Sequence, residues 1–121
     1  MSELPDTGDR RGWETGAVRD ASEGKAEISQ IYPPAIMRLA KRGTDGAKKY
    51  DSYNFAKGIP LSVYIDSLYR HLNAYQMLDD SEDHLAAIMW NAMGSMFAED
   101  RVSDGTLPVE LDDLFEWKPT K

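Results

Sequence analysis

The residues between Gly46 and Asn91 carry the side chains that a phosphorylated ligand and a metal ion require. Lysines and glycines come first, an Arg-His pair follows, and an Asp-His pair precedes the final asparagine. Glycine lets backbone N–H groups approach an anion, and lysine supplies a positive charge for it. Carboxylates and imidazoles are metal ligands. The stretch therefore predicts a site for both, although it contains no Walker-type phosphate loop.

The candidates for metal binding and acid–base chemistry are histidines and aspartates. Asp83 beside His84 is the foremost candidate ligand for Mg²⁺ or Mn²⁺, because these ions favour carboxylate and water oxygens. The predicted catalytic residues are His84, Asp83 and His71, and the predicted metal ligands are Asp83, His84 and Asp66. Structural roles are the alternatives: an Asp66–Arg70 ion pair one helical turn apart, a helix cap at His84, and a core-edge position for His71.

Cations and aromatic side chains are the candidates for ligand binding. The cations lie near glycines and would contact phosphates, and aromatic rings would stack on a base. These residues are Arg19, Lys25, Lys49, Lys57, Tyr50, Phe55 and Trp90. The alternative for the aromatic rings is a place in the core, and for Asn91 a buried amide that is hydrogen-bonded within the protein.

Helices position these side chains, and the predicted fold class is all-α without a strand pattern. Apolar residues at the 3.6-residue period predict a helix over about 61–78, and a second stripe predicts another over about 82–100 with Ser81 as its cap. The short connection makes this central pair antiparallel neighbours. A short helix from Pro33 to near Gly43 and another over 107–115 flank the pair.

The chain of 121 residues fits a single domain with one modest core. We expect residues 1–12 to be a disordered N-terminus and residues 13–121 to form a single helical domain, beginning with an extended arm over 13–32. The absence of cysteine excludes disulfides and thiolate chemistry and fits a cytoplasmic location. No apolar run approaches the roughly 20 residues of a membrane span, so no membrane partner is expected.

Charge is divided unevenly along the chain. Residues 1–60 carry ten Lys and Arg against nine Asp and Glu, a balance of +1, and residues 61–121 carry four against twelve, a balance of −8; together they give −7. An acidic protein is poorly suited to duplex nucleic acid, which requires many neutralised phosphates. The division suits a polyphosphate on the cations and a metal ion on the carboxylates.

Short motifs follow one another in a recognisable order over residues 11–115. They are residues 15–20 (TGAVRD), 46–50 (GAKKY), 54–58 (NFAKG), 70–72 (RHL), 83–87 (DHLAA), 90–93 (WNAM) and 107–113 (LPVELDD). This order resembles the phage and prophage dATP/dGTP diphosphohydrolase family, which includes MazZ-like enzymes. The resemblance implies a helical enzyme that uses a divalent metal to split a purine deoxynucleoside triphosphate into monophosphate and pyrophosphate, in the cytoplasm of a phage-infected or prophage-bearing bacterial host cell.

The resemblance gives the leading hypothesis, in which a water molecule activated by the metal attacks phosphorus. Arg70 joins the phosphate-binding cations, and Asn54 and Asn91 orient the sugar or base. The alternative is a protein that binds or sequesters a nucleotide without turnover, favoured by Glu27 and Tyr53, which stand where the family commonly has arginine. An acidic interaction protein is a third possibility. Apolar stripes and methionines beyond the needs of one small core predict a homo-oligomer, a dimer or higher.

Overall fold

The computed structural model describes residue 4 and residues 6–114, and the chain divides into two units, Met1–Gln30 and Ile31–Lys121. The N-terminal unit contains two short antiparallel strands, β1 (Arg10–Gly12) and β2 (Val18–Asp20). Arg10 lies opposite Asp20, and a turn with Gly16 at a φ of 88° joins the strands. The expectation of an all-α fold is therefore wrong in this detail: the protein is mostly helical with a small two-stranded sheet.

The hairpin is held by polar contacts, because its strand residues are largely exposed. The Asp20 carboxylate accepts a hydrogen bond from the Thr7 hydroxyl and lies 3.1 Å from the Lys25 ammonium nitrogen. Strands of three residues are too short to show an alternating pattern, so they could not be predicted from periodicity. The first strand lies within the segment that the sequence analysis assigned to a disordered N-terminus.

Three helices form the second unit: α1 (Pro33–Lys49), α2 (Leu61–Gln76) and α3 (His84–Ser103). Helix α3 packs against both α1 and α2, and its contact with α2 is the more extensive. The predicted pairing of the two long helices is confirmed, with α2 ending two residues earlier and α3 beginning two residues later than expected. No helix in the described part of the chain is both long and apolar enough to cross a membrane.

Helix α1 continues past Gly43, where the sequence analysis placed its end. A Cβ atom at Gly43 would lie 2.9 Å from the Trp90 ring of α3, so the missing side chain makes room for the indole. Glycine inside a helix costs about 1 kcal/mol relative to alanine. Here the close approach of two helices explains its presence, and tertiary packing overrides the local stop signal.

Small residues allow α2 and α3 to approach closely. Leu61, Tyr64 and Ala98 form the buried cluster between them, and the Tyr64 ring lies against the backbone of Gly94. Leu72 and Tyr75, which share the apolar pattern of α2, are exposed in the single chain. The apolar stripe of α2 is therefore only partly covered within this unit.

The segment after α3 turns back to the start of α2. Val109–Leu111 form a single 3-10 turn, so the helix predicted over 107–115 is wrong within the described residues, and Phe115 lies outside them. The Asp113 carboxylate accepts hydrogen bonds from the backbone N–H of Ser62 at 2.9 Å and from its hydroxyl at 2.6 Å. This contact satisfies one of the free N–H groups in the first turn of α2.

Candidate functional site

Two histidines meet where α2 ends and α3 begins. His71 lies in the last turns of α2 and His84 is the first residue of α3, and their Nδ1 atoms are 2.9 Å apart. His84 is 5 % exposed, and burial lowers the pKa of the His71 imidazole against the opposing effect of Glu82. Two ring nitrogens at this distance share either one proton or one metal ion.

Carboxylates lie on two sides of the histidine pair. The Glu82 Oε1 atom is 3.8 Å from His71 Nδ1, and the Asp79 Oδ2 atom is 2.5 Å from His84 Nε2. Hydrogen bonds from the Ser81 hydroxyl and from His84 lower the pKa of Asp79, so its carboxyl group is ionised at neutral pH. An ionised Asp79 can only accept a hydrogen bond, and His84 Nε2 is therefore the donor.

The cluster of His71, Glu82 and His84 fits a divalent metal ion. One ligand atom from each residue lies within 4.8 Å of the other two. Two imidazoles and a carboxylate are a common donor set for divalent metals, and the Asp79–His84 contact matches the carboxylate that usually orients a metal-binding histidine. Arg42 donates to Glu82 Oε1 at 2.7 Å and lowers the pKa of Glu82, so this carboxylate is ionised at neutral pH.

Asp83 and Asp66, the predicted carboxylate ligands, have other contacts. Both oxygens of Asp83 bind the Arg38 guanidinium at 2.7 Å, and Asp83 also accepts from the Ala86 N–H as the cap of α3 in place of Ser81. These contacts lower the pKa of Asp83 to about 2, with Arg38 the main cause. Asp66 forms an exposed ion pair with Arg70 at 2.7 Å. Neither belongs to the cluster, in which Glu82 supplies the carboxylate.

The contacts of Asp83 give a prediction that separates capping from metal binding. We expect Asp83→Asn to keep metal binding, because asparagine caps helices as well as aspartate does, whereas Asp83→Ala loses the cap and destabilises the protein by about 1 kcal/mol. Chemical denaturation and metal titration of both variants measure the two effects. Loss of metal binding in a folded Asp83→Asn protein would restore Asp83 as a ligand.

A cleft of about 920 Å³ lies beside this cluster, bounded by α1, α2, α3 and the segment between α1 and α2. Its volume is in the range of small-molecule sites. Seven of the predicted ligand-binding residues line it: Lys49, Tyr50, Asn54, Phe55, Arg70, Trp90 and Asn91. Glu82 and Arg42 also line it, so the cleft and the cluster share a carboxylate.

Aromatic rings and an oriented amide form one wall of the cleft. Phe55 packs edge-to-face on Trp90 with ring centroids 5.6 Å apart, and it packs on Phe97 in the same way at 5.2 Å. Phe55 and Trp90 therefore pack against each other as well as lining the cleft. The Asn91 amide nitrogen donates to the Ala87 carbonyl at 2.7 Å, which fixes the amide and leaves its oxygen available as an acceptor.

The charges that line the cleft are balanced. Three cationic side chains and three carboxylates line it: Arg42, Lys49, Arg70, Asp45, Asp51 and Glu82. Arg42 and Arg70 already pair with carboxylates, and the Lys49 ammonium lies 5.1 Å from the centre of the Tyr50 ring. The cleft alone offers little net positive charge to a polyphosphate. A divalent cation at the neighbouring cluster would supply it.

The remaining predicted phosphate-binding cations are Lys57, Arg19 and Lys25. Lys57 is 3.5 Å from the Asp51 carboxylate and does not line the cleft. Arg19 and Lys25 belong to the N-terminal unit, where Lys25 pairs with Asp20. Sequence reasoning missed Glu82 and Arg42. The position of Glu82, two residues before His84 in an acidic turn, was the available signal for it.

Comparison with known proteins identifies one family. A family model described as dATP/dGTP diphosphohydrolase, N-terminal, matches residues 15–105, which are 91 of the 121 residues. The match includes both histidines and the acidic turn between α2 and α3. No significant match was found among curated proteins or among solved structures.

Proposed function

The chain belongs to the dATP/dGTP diphosphohydrolase N-terminal family, and from this premise we propose that it hydrolyses dGTP or dATP to the monophosphate and pyrophosphate with a divalent metal. The observation that carries the proposal is that Glu82 belongs both to the His71–Glu82–His84 cluster and to the lining of the cleft. A substrate in the cleft would bring its phosphates beside the metal ligands.

The reaction adds water across a phosphoanhydride bond. The water oxygen bonds to phosphorus, the bridging P–O bond between the α- and β-phosphates breaks, and pyrophosphate leaves. A divalent cation supplies charge neutralisation at the phosphate oxygens and lowers the pKa of the attacking water. His71, Glu82 and His84 would hold that cation, and Asp83 keeps the first turn of α3 in place through its cap and its pair with Arg38.

The lining of the cleft suggests how a nucleotide would be oriented. Lys49 and Arg70 would contact phosphate oxygens, and Trp90 with Phe55 would offer an aromatic surface to the base. The fixed amide of Asn91 would accept a hydrogen bond from the base or sugar, and Asn54 would add a second amide. Arg19, Lys25 and Lys57 remain proposed phosphate contacts from the sequence.

We also propose a homo-oligomer that acts on free nucleotides in the cytoplasm of a phage-infected or prophage-bearing host cell, without duplex nucleic acid or membrane as partners. Exposed apolar side chains on α1, on α2 and directly after α2 support an oligomer, since a single chain leaves them uncovered. They include Ile36, Met37, Tyr69, Leu72, Tyr75 and Met77.

A nucleotide-binding protein without turnover is the second candidate function. Glu27 and Tyr53, which stand where the family commonly has arginine, favour it, because fewer cations remain to stabilise the charge that develops on a triphosphate during hydrolysis. Such a protein would need the aromatic wall and the amides but no metal ligands.

A product assay separates the two candidates. Purified protein is incubated with each of the four deoxynucleoside triphosphates and Mg²⁺ or Mn²⁺, and the products are resolved by chromatography. The hydrolase predicts equal amounts of monophosphate and pyrophosphate from dGTP or dATP, and none after chelation of the metal. A thermal shift with nucleotide but no product would favour the binding protein, and neither response would contradict both proposals.

A further inference from the structure

His84 is held by hydrogen bonds at both ring nitrogens. Asp79 Oδ2 accepts from Nε2, and His71 Nδ1 faces Nδ1 at 2.9 Å. When the Nε2–H group donates its hydrogen bond to Asp79, neutral His84 has its free lone pair on Nδ1, on the side of His71 and Glu82. The hydrogen bond from Nε2 therefore fixes the tautomer that a metal at the cluster requires.

Asp79 is itself held in place from both its backbone and its side chain. Its backbone N–H donates to the Ala74 carbonyl of α2 at 3.0 Å, and the Ser81 hydroxyl donates to the same carboxylate oxygen that contacts His84, at 2.7 Å. The carboxylate is thus anchored to the end of one helix while it orients the first residue of the next. Carboxylates in this position raise the basicity of a metal-binding histidine and set its orientation.

We propose that His71, Glu82 and His84 select a divalent transition-metal ion such as Mn²⁺, Co²⁺ or Zn²⁺ over Mg²⁺, and that Asp79 is the positioning residue of this site. The inference rests on the proposed function, since it specifies the metal of that hydrolase. It adds a residue and a metal class that the family match does not provide.

The donor set supports this choice of metal. Mg²⁺ prefers oxygen ligands and keeps much of its water, whereas imidazole nitrogen suits the transition metals. Two of the three ligands here are imidazoles. The 2.9 Å between their Nδ1 atoms suits two neighbouring ligands of one ion at metal–nitrogen distances of about 2.1 Å. The proton that the two nitrogens share in the absence of metal would be displaced by the ion.

Metal titration without nucleotide tests the proposal. Calorimetry with Mn²⁺, Co²⁺ and Mg²⁺ on the full chain gives the three dissociation constants, and the visible absorption of bound Co²⁺ reports its ligands. We expect Mn²⁺ and Co²⁺ to bind at least about tenfold more tightly than Mg²⁺. Asp79→Ala should weaken Co²⁺ binding by about 10–100-fold and change its spectrum, and Asp79→Asn should cause a smaller loss because an amide oxygen still accepts from His84.

The matched control is Asp80→Ala, which removes a carboxylate from the same turn without touching His84, and we expect it to bind Co²⁺ as the wild type does. If Asp79→Ala does not fold, Asp79→Asn carries the comparison. Equal affinity for Mg²⁺ and Mn²⁺, or wild-type Co²⁺ binding and spectrum in the folded Asp79 variants, would overturn the proposal. Because the metal titration uses no nucleotide, its result is independent of the product assay. A protein that binds Co²⁺ as expected in the titration but releases no pyrophosphate in the product assay contradicts the hydrolase proposal alone.

Discussion

Replacement of His84 by alanine is expected to lower metal-dependent hydrolysis of dGTP or dATP by at least about a hundredfold. In the proposed metal site His84 contributes one of three ligand atoms, and its loss would leave His71 and Glu82 to hold the cation alone. A weakly held cation neither neutralises the phosphates nor activates water effectively. Initial rates over a range of Mn²⁺ concentrations measure the effect, and excess metal should restore only part of the activity.

A second variant separates chemistry from folding. Because His84 is buried and contacts both Asp79 and His71, its removal also costs roughly 1–3 kcal/mol of stability. Glu82→Gln removes a ligand charge from an exposed residue and should lose activity with little loss of stability. Asp66→Asn, at the exposed partner of Arg70, is the control and should keep full activity. The reverse result, with Asp66→Asn inactive and Glu82→Gln active, would show that the cluster is not the metal site.

The helix pair could be predicted because its signals are local. Apolar residues recur at the helical period through α2, and an acidic turn of a few residues joins α2 to α3. The buried face of α3 consists instead of small and polar residues, while Leu85 and Met96 of the expected apolar stripe are exposed. The length of α1 could not be predicted, since Gly43 reads as a stop signal and only its contact with Trp90 of α3 explains its place inside a helix. The hairpin at residues 10–20 rests on backbone pairing and polar contacts, which leave no apolar pattern.

The candidate metal cluster was partly predictable for a related reason. His71 and His84 flank one short connection, so their proximity follows from the antiparallel helices. Glu82 and Asp83 are adjacent carboxylates in that connection, and sequence alone does not say which one faces the histidines. Arg38, on a different helix and 45 residues away in the chain, forms the bidentate pair with Asp83. This long-range ion pair occupies the Asp83 carboxylate, which also caps α3, and Glu82 is left beside His71.

Replacement of Gly94 by alanine is expected to destabilise the protein by about 1–3 kcal/mol, which lowers its melting temperature by on the order of 10 °C. A Cβ atom at this position would lie 2.3 Å from Cε1 and 2.5 Å from Cζ of the Tyr64 ring. The ring is buried with Leu61 and Ala98 between α2 and α3, so it cannot turn away as a flexible side chain would. The two helices must separate instead, which exposes the core and widens the cleft that Tyr64 lines.

Gly46 of α1 provides the matched control, because a Cβ atom there would meet no atom within 4 Å. Gly46→Ala should therefore stabilise the protein by about 0.5–1 kcal/mol, the ordinary gain of alanine over glycine in a helix. Alanine should bring the same gain in helix stability at Gly94. A net loss of stability in Gly94→Ala therefore means that the clash with Tyr64 costs more than this gain. Adding Tyr64→Ala tests whether the Tyr64 ring causes the clash: if it does, Gly94→Ala costs less stability in the Tyr64→Ala background. Thermal or chemical denaturation of the wild type, Gly94→Ala, Tyr64→Ala and the double variant gives the interaction energy. If the Gly94→Ala protein is as stable as the Gly46→Ala protein, the Tyr64 ring does not lie against Gly94, and α2 and α3 are farther apart than described.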